Sequence, residues 1–395
     1  MKKILFVFAA AALISCACDN AQEPYVPSGG GDKPSPTPAP AVESDWGALA
    51  DSCTNVLVAN FLDKSTGTFW ATPGDIERSS EYIYWQQAHA LDVLLAAAVR
   101  NPLLRDTYLG YADKWYANYA HNYNRSHRGE GTYGGFFNQW TDDMAWICLT
   151  LMHISEVSGD AKYRETSKEV FDKYIWPRRL AYDGGFALPW TDRPEDVKNF
   201  NACTNAPSCL TAAKLHLLYP DEGYLDIAKT LYKACIDHMP DAERAEEPPL
   251  TYTQGTFGEA CRALYHITGD QSYMDKAGVV LQYAFTSNRC NDSSGVLRHE
   301  GTSMDQSLFK AVLIPYAVNY VTDADADSRI AQVIREKLLL CAKTLDRHLD
   351  RTMYPRMYCD YFWGTTFNPS SGSASMGAQA SGASLMEGVA RMTAD

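Results

Sequence analysis

The 395-residue chain has no Cys-x-x-Cys pair among its 11 cysteines and no His-x-x-x-His pair among its 9 histidines. The commonest zinc-ligand spacings are therefore missing, and no metal is implied. Positive charge is scarce: 35 Lys and Arg face 48 Asp and Glu, a net charge of −13. Recognition of nucleic acid or of an anionic membrane surface draws on an excess of basic residues, so neither is expected. Strand-like alternation is almost lacking beyond the N-terminal segment. Asp323-Ala324-Asp325-Ala326-Asp327 imitates the start of a calcium loop but has Ser328 where Gly is needed and Ile334 where Glu is needed. It reads as a solvated turn. His89 and His153 lie within apolar helical runs and read as core histidines. Nothing in the pattern calls for a cofactor.

What is present begins with the N-terminus. Lys2 and Lys3 precede an apolar stretch, Ile4 to Ile14, and Leu13-Ile14-Ser15 leads into Cys16. A basic start, a short apolar core and a small residue before the cut describe a secretory signal over 1–15 rather than a membrane-spanning helix. Cys16 in this place resembles the lipid-attachment cysteine of a bacterial lipobox. The resemblance implies cleavage before Cys16, membrane attachment through the lipid alone, and an outer-membrane or cell-surface location; the plainer alternative is a soluble secreted protein. Residues 16–43 are rich in Pro, Gly and Ser and read as an extended tether. The body is then 44–395, a single domain.

Within the body, segments apolar nearly all round alternate with amphipathic ones. The first set is Trp85–Val99, Asp143–Val157, Asn205–Leu218, Gln254–Ile267, Gln306–Val318 and Gln379–Met392. A helix apolar on all sides is buried, and one with a charged stripe lies outside. Six of each, alternating, predict an all-α (α/α)6 toroid, with an open α-solenoid as the rival. Ser158-Gly159-Asp160 and Thr268-Gly269-Asp270 repeat one turn, in which Gly closes an inner helix and Asp caps the outer one. Cys148, Cys235, Cys261 and Cys341 fall in apolar helical contexts and read as buried free thiols, with disulfides left open for the others.

The starts of the inner segments collect amides, carboxylates and aromatics. They carry Trp85 and Gln86; Gln139, Trp140, Asp142 and Asp143; Asn201 and Asn205; Tyr252 and Gln254; and Asp305, Gln306 and Gln379. Amides and carboxylates grip hydroxyls, and aromatic rings stack on the apolar face of a sugar. Ordinary helix capping explains some of these residues but not the glutamines. Asp142-Asp143 is the candidate catalytic pair, because glycosidic cleavage commonly uses one ionised and one protonated carboxyl. The plainer reading is that Thr141 caps the helix and both aspartates complement its dipole.

Gly134-Gly135-Phe136-Phe137-Asn138-Gln139-Trp140-Thr141-Asp142-Asp143-Met144-Ala145-Trp146 resembles the signature of glycoside hydrolase family 76, the endo-α-1,6-mannanases. Tyr84-Trp85-Gln86-Gln87-Ala88-His89-Ala90-Leu91-Asp92 is similar to the family's first inner helix. Asn201 to Pro207, Thr251 to Gly255 and Asp305 to Lys310 are similar to later blocks in the same order. The resemblance implies an (α/α)6 fold and an α-mannan substrate cleaved at α-1,6 bonds with retention. It also implies Asp142 as nucleophile and Asp143 as general acid/base. Two other readings stay open, a non-catalytic surface glycan-binding lipoprotein and an (α/α)6 transglycosidase. Phe186-Ala187-Leu188-Pro189-Trp190 departs from the compact aromatic block expected after Gly184-Gly185.

Overall fold

The computed structural model describes residues 44–74, 84–127, 135–194, 198–236 and 249–394, and the side chains of 119–127 are left aside. The expected signal segment, Cys16 and the tether over 16–43 lie outside the described residues, as does Gly134.

Among the described residues, twelve α-helices alternate between an outer and an inner ring. The outer ones are α1 (Trp46–Phe61), α3 (Arg105–His127), α5 (Ala161–Val170), α7 (Tyr224–Ile236), α9 (Gln271–Thr286) and α11 (Ser328–His348). The inner ones are α2 (Trp85–Arg100), α4 (Thr141–Ser158), α6 (Ala202–Leu218), α8 (Thr251–Thr268), α10 (Met304–Val321) and α12 (Met376–Thr393). Outer helix α11 buries one stripe, Ile334, Leu338, Cys341, Ala342 and Leu345, whereas inner helix α12 is buried nearly throughout. Each inner helix packs on the next, and α12 packs on both α10 and α2. That contact closes the ring, so the architecture is the (α/α)6 toroid and not the open solenoid. Small residues make the closure possible. A Cβ on Gly255 would stand 2.7 Å from Leu313 Cα, and one on Gly388 would stand 2.7 Å from Ile314 Cγ2.

The repeated turns behave as the sequence predicts. Gly159 and Gly269 end α4 and α8 at φ 80° and 72°, and Asp160 and Asp270 cap α5 and α9. Five inner helices begin earlier than their apolar runs suggest, α4 among them at Thr141. The caps of α6, α10 and α12 are Asn201, Ser303 and Ser375, which accept from the N–H groups of Thr204, Gln306 and Ala378. Leu250 precedes α8 without a side-chain cap. Gln254, Gln306 and Gln379 therefore stand inside first turns, not at caps.

Among the described residues, two short hairpins interrupt the helices, β1 (Leu62–Asp63) with β2 (Thr68–Phe69), and β3 (Leu180–Tyr182) with β4 (Gly185–Ala187). The second turns through Asp183 and Gly184, both at positive φ, the Asp-Gly signature of a tight hairpin. The nine cysteines among the described residues are all free thiols.

Candidate active site

The N-terminal ends of inner helices α2, α4, α6, α8 and α10 open onto a cleft of about 510 Å³. Among the described residues its lining includes Asp142, Asp143 and Asp305, and no Lys, Arg or His. The cleft thus offers carboxylates and aromatic faces, which suits a neutral polyhydroxylated ligand.

Asp142 and Asp143 are the second and third residues of α4. Thr141 is not a side-chain cap, because its own N–H donates to the Trp190 carbonyl at 2.8 Å and its hydroxyl accepts from Arg178 at 3.0 Å. The indole N–H of Trp190 donates to Asp142 Oδ2 at 3.1 Å, while Asp142 Oδ1 is buried without a hydrogen-bond partner among the described residues. Burial pushes the Asp142 carboxyl up to about 7, and the Asp305 charge adds to it. Trp190 and the backbone amides at the helix start act in the opposite direction. Asn138 donates to Asp143 Oδ2 at 3.0 Å. Neighbours on a helix differ by about 100° around the axis, so the two carboxyls reach the cleft from different directions.

The aromatic wall comes from four inner helices. Tyr252 and Phe309 stack with centroids 4.0 Å apart, and Trp85 lies 6.1 Å from each. Trp146 is 5.7 Å from Tyr252. A second aromatic pair, Trp140 and Trp190, sits with centroids 4.6 Å apart. Asp305 Oδ1 accepts from Trp85 Nε1 at 3.0 Å and from Gln86 Nε2.

Of the residues expected at the site, the cleft gathers Asp142, Asp143, Trp85, Gln86, Trp140, Asn201, Tyr252 and Asp305. Gln139, Asn205, Gln254 and Gln306 are not part of its lining. Asn205 is fully buried and clamps a connecting segment, donating to Leu188 O and accepting from Leu188 N. Gln254 is also fully buried, with Nε2 3.9 Å from Cys290 Sγ. Gln139 is buried, and its backbone carbonyl serves Arg178. Gln306 packs against Gly301. Gln379, singled out with them, bridges Cys359 N and Cys53 O.

Additional lining comes from Tyr84, Asn138, Trp146, Trp190, Asn199, Cys203 and Phe309. Cys203 Sγ lies 3.0 Å from Asn201 Oδ1 and 3.9 Å from Asp142 Oδ2. Burial and the Asp142 charge raise this thiol far above its ordinary value, so it stays protonated. The departure around Trp190 therefore supplies the site instead of leaving it. The loop before α12 does not line the cleft; Gly372, Ser373 and Ala374 border a separate groove.

Behind the aromatic wall, His89 stands 5.4 Å from Trp85 and 5.1 Å from Trp146 by ring centroid. Its Nδ1 is 3.2 Å from Asp92, which also contacts His153 Nδ1 at 2.9 Å and accepts from Thr150 at 2.9 Å. The two core histidines are thus joined by one carboxylate. Among the described residues, no cluster of His, Cys, Asp and Glu is arranged to hold a metal ion. Asp323 is not solvated as its sequence suggests, because its carboxylate binds Arg262 at 2.7 Å and His266 at 2.6 Å.

The fold recurs in solved structures. An inactive variant of the α-1,6-mannanase GH76A of Salegentibacter sp. HEL1_6, bearing two Asp-to-Asn substitutions and bound to α-1,6-mannotriose, is 22% identical. The alignment covers 88% of this chain and 100% of that one, with a TM-score of 0.73. The Lin0763 protein of Listeria innocua is 20% identical over 88% and 97% of the two chains, TM-score 0.70. Bt3792 of Bacteroides thetaiotaomicron VPI-5482, described as a family 76 mannosidase, is 17% identical over 88% and 98%, TM-score 0.67. Among curated proteins none matches the chain. The family model for glycosyl hydrolase family 76 matches residues 48–394, nearly the whole toroid, and the chain belongs to that family.

Proposed function

We propose that the protein is a retaining, endo-acting glycoside hydrolase that cleaves α-1,6-mannosidic bonds of mannan. The observation that carries this reading is the Asp142–Asp143 pair on the wall of a cleft whose other lining is mostly aromatic and amide groups, with Asp305 as a third carboxylate. The Salegentibacter neighbour, an α-1,6-mannanase, is described as inactive once two consecutive aspartates are replaced. Asp142-Asp143 is the only consecutive aspartate pair in this chain.

In the reactive form Asp142 is ionised and Asp143 carries the proton. An Asp142 oxygen attacks the anomeric carbon as the bond to the glycosidic oxygen breaks, and Asp143 gives its proton to that leaving oxygen. Asp143 then takes a proton from water, the water oxygen attacks the same carbon, and the bond to Asp142 breaks. Two inversions give net retention. The Trp190 indole and the free N–H groups at the start of α4 are donors, and they favour Asp142 as an anion when it departs. Stacking on Trp85, Tyr252 and Phe309 supplies affinity for apolar sugar faces.

In this reading the substrate is an oligosaccharide or polysaccharide, and the enzyme works at the cell surface, held by lipid on Cys16. Asp142→Asn and Asp143→Asn each lower turnover on α-1,6-mannan by about 10³ or more, in the range for loss of an essential catalytic group. Either variant retaining wild-type turnover contradicts the assignment.

A further inference from the structure

We propose that Arg178, which lies outside the cleft, is the positioning residue that sets the geometry of the catalytic pair; the idea rests on the function proposed above. Arg178 follows α5 in a single helical turn, Trp176–Arg178, and its side chain is only 10% exposed. Its Nη1 donates to Gln139 O at 2.8 Å and to Thr141 Oγ1 at 3.0 Å. Its Nη2 donates to Asn138 O at 2.8 Å and to Asp192 Oδ2 at 3.0 Å. The guanidinium also lies over the Phe137 ring, 5.3 Å from its centroid.

These partners are the supports of the two aspartates. Asn138 holds Asp143 through its side-chain amide. Thr141 immediately precedes Asp142. Asp192 belongs to the segment that presents Trp190 to Asp142, and that segment meets the start of α4 at the Trp140–Thr191 bridge. One planar fork therefore ties the segment entering the catalytic helix to the loop that hydrogen-bonds its first aspartate. A lysine ammonium is a point donor on a flexible stem and does not reproduce four bonds in one plane. A displacement of about 1 Å at reacting groups costs on the order of 10²-fold in rate.

The test compares wild type with Arg178→Ala, Arg178→Lys and Asp192→Asn on a defined α-1,6-mannooligosaccharide, with thermal melts of each. Arg178→Ala is expected to lose about 10²-fold in kcat with KM little changed. The acid limb of its kcat/KM profile moves to higher pH, because the Trp190 donor that lowers the Asp142 pKa is no longer held. Added guanidinium ion restores part of the rate. Arg178→Lys recovers less than tenfold of the loss, and Asp192→Asn, which removes the charge and weakens only the loop side, shows a smaller defect with the same direction of pH shift. Wild-type kcat in folded Arg178→Ala overturns the proposal. So does a rate loss with an unmoved pH limb and no response to guanidinium, since that marks a merely structural role. If Arg178→Ala does not fold, the pH shifts of Arg178→Lys and Asp192→Asn decide, and unshifted profiles in both overturn it. Full activity in Asp142→Asn and Asp143→Asn is a different result, and it removes the functional reading itself.

Discussion

Trp190 holds Asp142 and its helix at once: the indole N–H reaches Asp142 Oδ2 at 3.1 Å, and the backbone carbonyl accepts the Thr141 N–H at 2.8 Å. Substitution by phenylalanine keeps the backbone bond and the ring but removes the indole donor. A hydrogen bond to a charged group is worth about 1.5–3 kcal/mol. Trp190→Phe is expected to lower kcat/KM by roughly 10- to 100-fold and to move the acid limb upward, which steady-state kinetics across pH will show.

The burial that raises Asp142 to about 7 makes two linked predictions. An ionised nucleophile is needed, so kcat/KM of the free enzyme falls as pH drops below about 7. Stability runs the other way. A folded-state pKa above the unfolded value near 3.9 means that the native protein binds the extra proton between those values, so stability is lost as pH rises from about 4 through 7. Asp142→Asn, which carries no charge to bury, is expected to melt a few degrees higher than wild type at pH 8, with the gap shrinking toward pH 4. An equal or lower melting temperature at pH 8 contradicts this account.

Gln379 is fully buried, and its amide accepts from Cys359 N at 2.9 Å and donates to Cys53 O at 2.9 Å. Truncation strands a buried N–H and a buried C=O, each at about 1–3 kcal/mol. Gln379→Ala is expected to lose roughly 2–4 kcal/mol of stability in denaturant unfolding while turnover per folded molecule stays near wild type. A large change in KM without a change in stability is the opposing result.

Asp92 is pushed up by burial, but its bonds to His153 and His89 more than offset this and hold the carboxyl well below the usual range. A depressed folded pKa contributes stability that is complete above the unfolded value near 3.9 and lost as pH falls below it. Asp92→Asn is expected to be less stable than wild type at pH 7 by about 1–3 kcal/mol, the cost of weakening hydrogen bonds to a charged group. Urea titrations at descending pH are expected to show the difference narrowing from about pH 4 downward.

The rings were legible because burial leaves a mark on composition. Only a helix covered on all sides tolerates the mostly small and apolar run of α12, and α11 keeps its charges because one face meets water. The Gly159 and Gly269 closures were legible because left-handed backbone favours glycine. The direction of an amide in a first turn was not. Gln254 and Asn205 share the helix-start position with cleft residues, but successive side chains step by about 100°, and these two turn toward connecting segments instead of the cavity. Trp190 was hidden for the opposite reason. It reaches Asp142 from a loop 48 residues away, and only the pairing of that loop with the α4 start brings it there. An aromatic next to Pro189 and Thr191 was the available signal, and local sequence does not say which helix such a residue meets.

On the proposed function, Asp142 and Asp143 together cleave an α-1,6-mannosidic bond with retention. Its most direct test follows a linear α-1,6-mannooligosaccharide by mass spectrometry and early-time proton NMR. Wild type should release shorter oligosaccharides one water heavier than the cleaved residues, with the α-anomer formed first. Asp142→Asn and Asp143→Asn should release almost none. Initial formation of the β-anomer contradicts the account, as does transfer without hydrolysis or an intact substrate after prolonged incubation with folded wild-type protein.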